Sequence, residues 1–258
     1  GTLGKDGAVQ KNRIADLLVA SRGNRQEIAA FLSGAAEKGR LADALNMLES
    51  LAEKDLRDTP AYILEDHLFN TAVYGDPAKV LSPRVTSELL TPYRAYFQKN
   101  IPESLADMVS EDPALFVTWC RENLQMRDDI SLRYVQLDPA RVWETRLADT
   151  ESREIFFVSV CRSFGVQAWK DGVTGVVQYS KDGLIYDVDF EAAEQVVSPK
   201  GKLKLNYKEI PMLDEPKYLI HFTLSKFDGD SFRVLNYGKA DTWSKLFSKP
   251  AELDCGYY

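Results

Sequence analysis

Apolar residues recur every three or four positions through much of the first hundred residues, which is the spacing of one face of an α-helix. The clearest stripe consists of Leu41, Ala44, Leu45, Leu48 and Leu51. A helix with one apolar face buries that face against neighbouring elements. The pattern therefore predicts a helical N-terminal region over residues 1–100, with short helices at 37–54 and 60–74.

Two further helical patterns follow in the middle of the chain. Asp112 and Pro113 have the order of an N-cap and a first helical residue, and they open the stretch ALFVTWCRENLQM, whose Leu115, Trp119 and Cys120 we expect in the core. The second stretch, residues 155–161, reads IFFVSVC and is apolar on almost every side. A helix of that kind lies inside a domain rather than on its surface.

Short signals mark the ends of this inner helix and the start of a sheet. Asp149 or Thr150 can cap its N-terminus, and Gly165 can close it in a left-handed conformation. The stretches VQAW, VVQY and LIYDVDF then have strand character, and residues 181–183 (Lys-Asp-Gly) join the last two as a hairpin turn. We predict an inner helix that leads into an antiparallel sheet.

Beyond residues 198–201 the pattern has a period of two. The stretch KLKLNYK alternates, and YLIHFTLS would place Tyr218, Ile220, Phe222 and Leu224 on one face of a strand, with His221 on the other. Asp-Gly-Asp at 228–230 predicts a turn before SFRVLNY. Short strands separated by turns favour a β-sandwich over residues 199–258, which we expect to be truncated at the C-terminus.

Composition and charge narrow the range of functions. A net charge of −7 with scattered basic residues argues against nucleic-acid binding, and the absence of an eighteen-residue apolar run argues against a membrane span. Three cysteines are too few and too widely spaced for a disulfide framework or a zinc site, and we predict no metal and no cofactor. With two histidines in the chain, any His-dependent mechanism must use one of them. The chain begins at Gly1 without a signal peptide, and we expect a processed or cloned fragment.

The helix and strands of residues 141–190 together resemble the core of the transglutaminase-like superfamily, which has a papain-like fold; the sharpest motif lies within ADTESREIFFVSVCRSFGVQAW. LLTPYRAYFQKNIPESL resembles the lead-in of members found in secreted proteins of gut Bacteroidetes. The resemblance implies an α+β fold with a helical region over 1–100, a transglutaminase-like core over 101–198 and a β-sandwich over 199–258.

In this superfamily a Cys at the start of the inner helix is the nucleophile, and a His from a neighbouring strand is its base. The family spacing places Thr150 at the Cys position, fifteen residues before Gly165, and Gly183 at the His position. A Thr hydroxyl is not held ionised by a helix dipole as a thiol is, and Gly183 carries no side chain. The chain is therefore identified as a degenerate member, with no catalytic residue at either position.

A degenerate cleft can still bind a ligand. The candidate ligand-binding residues that flank the two positions are Trp143, Arg153, Trp169, Gln178 and Tyr186. The resemblance implies a non-catalytic module for a peptide, a glycan or another protein. It also implies an extracellular, periplasmic or cell-surface location, with a lipid anchor available to the full-length protein.

Two other functions stay open. The first is an active thiol-dependent hydrolase or acyltransferase with a non-standard nucleophile, for which Cys161, Ser152 and Ser159 are the available groups. Asp187 and Asp189 alternate on one strand and could supply a pair of carboxylates for acid–base work or for a cation.

The second open function is a structural role, in which the C-terminal region docks the module within a longer polypeptide.

Overall fold

A computed structural model describes residues 3–71, 75–127, 136–198, 200–227 and 231–258, with side chains from residue 9 onward. The α-helices are α1 (Leu3–Ala20), α2 (Arg25–Glu37), α3 (Leu41–Ser50), α4 (Glu53–Asp58), α5 (Ala61–Phe69), α6 (Pro77–Val80), α7 (Arg94–Asn100), α8 (Glu103–Glu111), α9 (Pro113–Asn123), α10 (Pro139–Thr145), α11 (Thr150–Ser163) and α12 (Trp243–Phe247). The strands are β1 (Gln125–Met126), β2 (Leu147–Ala148), β3 (Ala168–Lys170), β4 (Val177–Lys181), β5 (Leu184–Asp187), β6 (Val196–Val197), β7 (Lys200–Leu203), β8 (Ser225–Phe227), β9 (Phe232–Val234) and β10 (Ala251–Asp254). The α+β fold class is confirmed.

The N-terminal helices pack around a hydrophobic core of their own. Ala44, Leu45 and Leu48 of the predicted stripe are buried in it, together with residues of α2 and α5. The helix predicted over 37–54 is instead two helices, because the chain is extended at residues 51 and 52, between α3 and α4. The helix predicted over 60–74 ends at Phe69, and residues 72–74 lie outside the described residues.

Helix α11 lies at the centre of a second core, as its all-round apolar pattern predicts. Its buried positions run through the whole helix from Ser152 to Ser163. The side chain of Asp149 accepts a hydrogen bond from the Ser152 amide at 2.6 Å, which is the predicted N-cap. Gly165 has a φ of +81°, the left-handed conformation that ends the helix. Tyr93 and Phe97 belong to this core, so it begins before residue 101.

Helix α9 follows the predicted order but not all of the predicted contacts. Pro113 is its first residue, whereas the Asp112 side chain makes no cap hydrogen bond and pairs with Lys181 at 3.0 Å. Cys120 is buried and Trp119 packs against the second core. The placement of Leu115 in the core is wrong, because its side chain is 51% exposed.

A four-stranded antiparallel sheet in the order β3-β4-β5-β6 packs on α11. The predicted hairpin between β4 and β5 is present, with φ of +53° at Asp182 and +78° at Gly183. Two successive left-handed residues are typical of a type I′ turn, which explains Asp-Gly at these positions. The first three strands continue the chain directly from the end of α11, so the helix and sheet form one unit.

Residues 200–258 form two separate antiparallel ribbons, β7–β10 and β8–β9. The strand predicted over YLIHFTLS is wrong: Leu219 has a φ of +59°, and the Lys217 amide donates to Nδ1 of His221 across a turn. Tyr218 is buried among aromatic rings, Ile220 is exposed, and strand β8 begins only at Ser225. The turn predicted at 228–230 lies outside the described residues, and the β-sandwich stays a prediction. Across the part of the chain that the structure describes, no helix is both long enough and apolar enough to cross a membrane.

Candidate functional site

A cleft of about 740 Å³ opens beside the N-terminus of α11. Four segments line it: residues 85–87, residues 150–154 at the start of α11, residues 170–175 from the end of β3 into the β3–β4 connection, and residues 233–236 at the end of β9. Its volume lies within the ~300–1,000 Å³ that is usual for ligand pockets. The cleft therefore has the size of a binding site and joins segments that are far apart in sequence.

Hydrogen bonds and ion pairs fix the polar side chains in the walls of this cleft. Glu151 accepts hydrogen bonds from Thr86 Oγ1 at 3.2 Å and from Gln136 Nε2 at 3.0 Å. Lys170 Nζ lies 2.6 Å from Glu154 Oε2. These contacts hold the acidic residues of the first turn of α11 in place before any ligand arrives.

The β3–β4 connection is also ordered by its own side chains. Asp171 Oδ1 accepts hydrogen bonds from the amides of Val173 at 3.0 Å and Thr174 at 2.7 Å, and from Thr174 Oγ1 at 2.9 Å. A short Asp side chain that bonds the amides ahead of it stabilises a tight turn. Gly172 within this turn has open space around its α-carbon. The turn therefore presents a preformed rim with room above Gly172.

Neither a thiol nor an imidazole lies among the described residues that line the cleft. Cys161 is buried well inside α11, and burial raises the pKa of its thiol far above the usual range. Burial raises the pKa of Cys120 as well. A thiol kept protonated and away from solvent is not a nucleophile. The histidines lie elsewhere, His67 against α7 and His221 in the exposed turn near Lys217.

Thr150 lines the cleft, but the structure does not bring Gly183 to it. Strand β4 runs antiparallel to β3, and the Ser180 amide donates to the carbonyl of Gln167, just past the C-terminal end of α11. The hairpin containing Gly183 therefore lies at the opposite end of α11, which is ~20 Å long at 1.5 Å per residue. A base must reach its nucleophile within hydrogen-bonding distance. Thr150 and Gly183 are therefore not neighbours in the structure, and the assignment of the two superfamily positions to them stays a prediction.

The five candidate ligand-binding residues do not line one groove, and none lines the cleft. Trp169 and Gln178 are direct cross-strand partners and share one face of the sheet. Tyr186 is opposite Tyr179 in the register and therefore lies on the other face, where the two rings stack 5.2 Å apart. The sheet itself separates these side chains, because successive residues of a strand point to opposite faces.

Each of these side chains also has partners of its own. Lys79 Nζ lies 3.8 Å from the Trp169 ring centroid, and buried Gln178 donates to Asp187 Oδ1 at 2.6 Å. Trp143 stacks on Trp119 at 5.7 Å on the side of the core formed by α9 and α10.

Arg153 is held in the same way. Its guanidinium group lies 3.0 Å from Glu191 Oε1 and 4.3 Å from the Phe190 ring centroid. Arg153 therefore links α11 to residues 190 and 191 through an ion pair and a cation–π contact.

Asp187 and Asp189 have different hydrogen-bond partners. Asp187 accepts the hydrogen bond of Gln178, whereas Asp189 lies past the end of β5 and accepts hydrogen bonds from the amides of Glu191 and Ala192. Among the described residues, no three acidic, His or Cys side chains are grouped so that they could hold a metal ion. The two aspartates therefore stabilise the strand and the following turn separately.

Sequence reasoning found the α11 end of the cleft and missed its other walls. Residues 85–87 and 233–236 come from loops and a short strand far from α11 in sequence, and no local pattern marks them. Comparison with protein-family models, with curated proteins and with solved structures gave no match to this chain.

Proposed function

We propose that this chain is a non-catalytic, transglutaminase-like binding module whose cleft at the N-terminus of α11 takes a peptide segment of another protein. The observation that carries this proposal is the preformed polar cleft at the helix end where the superfamily has its nucleophile. The described lining offers carboxylates, hydroxyls and two cations, but no thiol or imidazole. Such a site can bind polar main-chain and side-chain groups without attacking them.

A peptide fits this lining better than a glycan. Sugar rings commonly pack on the faces of aromatic side chains, and none of the described residues lining the cleft is aromatic. Of the aromatic candidates, Trp143 stacks on Trp119 and Tyr186 stacks on Tyr179, away from the cleft. The papain-like core, the C-terminal β-sandwich and a secreted or cell-surface location belong to the same proposal.

The test is to block the cleft without disturbing the fold. Gly172→Trp adds a large ring at an exposed position with open space around the α-carbon, and Gly23→Trp is the matched control because Gly23 is equally exposed and unobstructed. Wild-type protein and both variants are screened against a displayed library of random peptides and against a glycan array. We expect peptides whose binding is lost in Gly172→Trp and kept in Gly23→Trp. Peptides bound equally by both variants, or hits on glycans alone, would overturn the proposal.

A further inference from the structure

One wall of the cleft is an edge of a β-ribbon, and the direction of its main-chain groups follows from the register. In the β8–β9 pair, Leu235 donates its amide to the Leu224 carbonyl, so residues 224 and 235 form a hydrogen-bonded pair. Hydrogen-bonded and non-hydrogen-bonded pairs alternate along an antiparallel ladder. The amide and carbonyl of Val234, and those of Phe232, therefore point away from β8.

An independent hydrogen bond shows where this outer edge faces. The Asn236 amide points away from β8 by the same alternation, and it donates to the Val173 carbonyl at 2.9 Å. Val173 belongs to the β3–β4 connection, which lines the cleft. Val234 and Asn236, at the end of β9, line the same cleft. The outer edge of β9 therefore faces the cleft. Val173 pairs with this edge at Asn236, and Val234 is the next residue whose main-chain groups point outward.

The two edges of the ribbon are not equivalent. On β8, the Phe227 amide points outward and donates to the Tyr257 carbonyl at 2.8 Å, so the C-terminal segment covers that edge. On β9, no hydrogen bond to the outward groups of Val234 or Phe232 is found within the described ranges. An uncovered edge presents donors and acceptors that match another extended chain. The ribbon therefore has room for one more strand, on the side of the cleft.

The side chains of the ribbon indicate what that strand carries. Phe227, Phe232 and Val234 share one face, and they are 40%, 57% and 47% exposed, with the two Phe rings 5.3 Å apart. A third strand would place every second side chain beside this apolar face. The partner would therefore carry β-branched or aromatic residues at alternate positions.

We propose that the cleft binds an extended peptide as a third strand on the outer edge of β9, paired through the main chain of Val234 and Phe232. This inference rests on the proposed function and adds how the peptide is held: main-chain pairing supplies the affinity, and the apolar face selects alternate side chains. A second copy of this chain is a poorer occupant, because the edge faces a cleft bounded by the first turn of α11 and by residues 170–175.

The probe is a fluorescein-labelled heptapeptide of alternating Val and Thr, with the fully N-methylated peptide as its control. Wild type should bind the first peptide and not the second, since N-methylation removes every amide donor. Val234→Pro should weaken binding about tenfold, because Pro removes only an outward-facing donor and leaves the β8 ladder intact. Val234→Thr, which keeps the donor and the branched shape, should bind within about threefold of wild type.

Amide hydrogen exchange of wild-type protein supplies a readout that does not depend on a variant folding. We expect added peptide to slow exchange at the Val234 amide and to leave the Arg233 amide, which faces β8, unchanged. Suppose that Gly172→Trp loses binding, that Val234→Pro binds the heptapeptide as tightly as wild type, and that wild type also binds the N-methylated peptide. This result would overturn the strand addition and leave the cleft proposal standing. No binding of the heptapeptide would also overturn it. Protection of Val234 in concentrated protein alone, together with a dimer in sedimentation, would assign the edge to a second copy instead.

Discussion

His67 should make this protein less stable below pH ~6.5, because the folded chain holds its ring neutral. The ring is fully buried, and Arg94 Nε lies 2.8 Å from its Nδ1. A guanidinium group only donates, so Nδ1 is the acceptor and the proton is on Nε2, which faces the Thr91 carbonyl at 3.4 Å. Burial, the charge of Arg94 and the charge of Arg162 lower the pKa of His67 well below its usual range.

The size of the effect follows from proton linkage. The unfolded chain has a His pKa near 6.5 and the folded chain a lower one, so below pH 6.5 the unfolded state binds more protons. Stability then falls as the pH falls, until the folded-state pKa is reached. A His that stays neutral in the fold loses about 1.4 kcal/mol between pH 7.5 and 5.5, whereas above pH 6.5 its contribution is nearly constant.

Urea unfolding at pH 7.5, 6.5 and 5.5 measures this loss directly. His67→Asn keeps an acceptor near the position of Nδ1 but does not titrate, so its stability should fall by about 1.4 kcal/mol less than that of wild type over the interval. Since the chain has two histidines, His221→Asn is the matched control, because it removes the other ring and leaves the buried one in place. If His67→Asn lowers baseline stability too far, the His67 ring resonances of wild type provide the same measurement. Equal slopes for wild type and His67→Asn, or a His67 ring that titrates near pH 6.5, would refute the reasoning.

Two further predictions concern the thiols and the helix caps. Iodoacetamide at pH 7.5 should label the exposed Cys255 of the native protein and leave the buried Cys120 and Cys161 unmodified, as measured by intact mass. Cys120 and Cys161 should react only after guanidinium unfolds the protein. Rapid labelling of Cys161 in the native protein would favour a thiol enzyme instead. Asp149→Ala should lower the free energy of unfolding in urea by ~0.5–2 kcal/mol, because it removes a side-chain N-cap. Asp112→Ala should lower it by ~0–1 kcal/mol, because it removes only a partly exposed ion pair. A larger loss for Asp112→Ala than for Asp149→Ala would contradict this prediction.

Local signals in the sequence were sufficient for the inner helix and the hairpin. The all-round apolar pattern of α11, the cap at Asp149 and the left-handed Gly165 depend on neighbouring residues in the chain, and each is found in the structure. The turn at Asp182 and Gly183 is equally local. These features could be predicted because propensity, capping and turn chemistry agree there, with no distant partner required.

Distant contacts explain where the predictions failed. Asp112 has the sequence position of a cap, but Lys181, sixty-nine residues away, takes its carboxylate. Tyr218 and Phe222 have the alternation of a strand, yet their rings meet edge to face across a turn, at 5.3 Å. A period of two is also satisfied by an aromatic cluster that folds back on itself. The walls of the cleft were missed for the same reason, since residues 85–87 and 233–236 meet α11 only in the folded chain.

The wall formed by residues 85–87 is fixed by the same buried region that holds His67 neutral. Arg162 of α11 donates hydrogen bonds through Nη1 to the carbonyls of Ser82 and Arg84, both at 2.9 Å, directly before this wall. The Glu88 carboxylate then accepts hydrogen bonds from the amides of Val85 at 2.6 Å and Thr86 at 2.8 Å. Buried carbonyls and amides that already have partners resist rearrangement, because breaking each bond costs ~1–3 kcal/mol. The cleft is therefore a preformed feature of the core, so a ligand binds without an ordering cost in this wall.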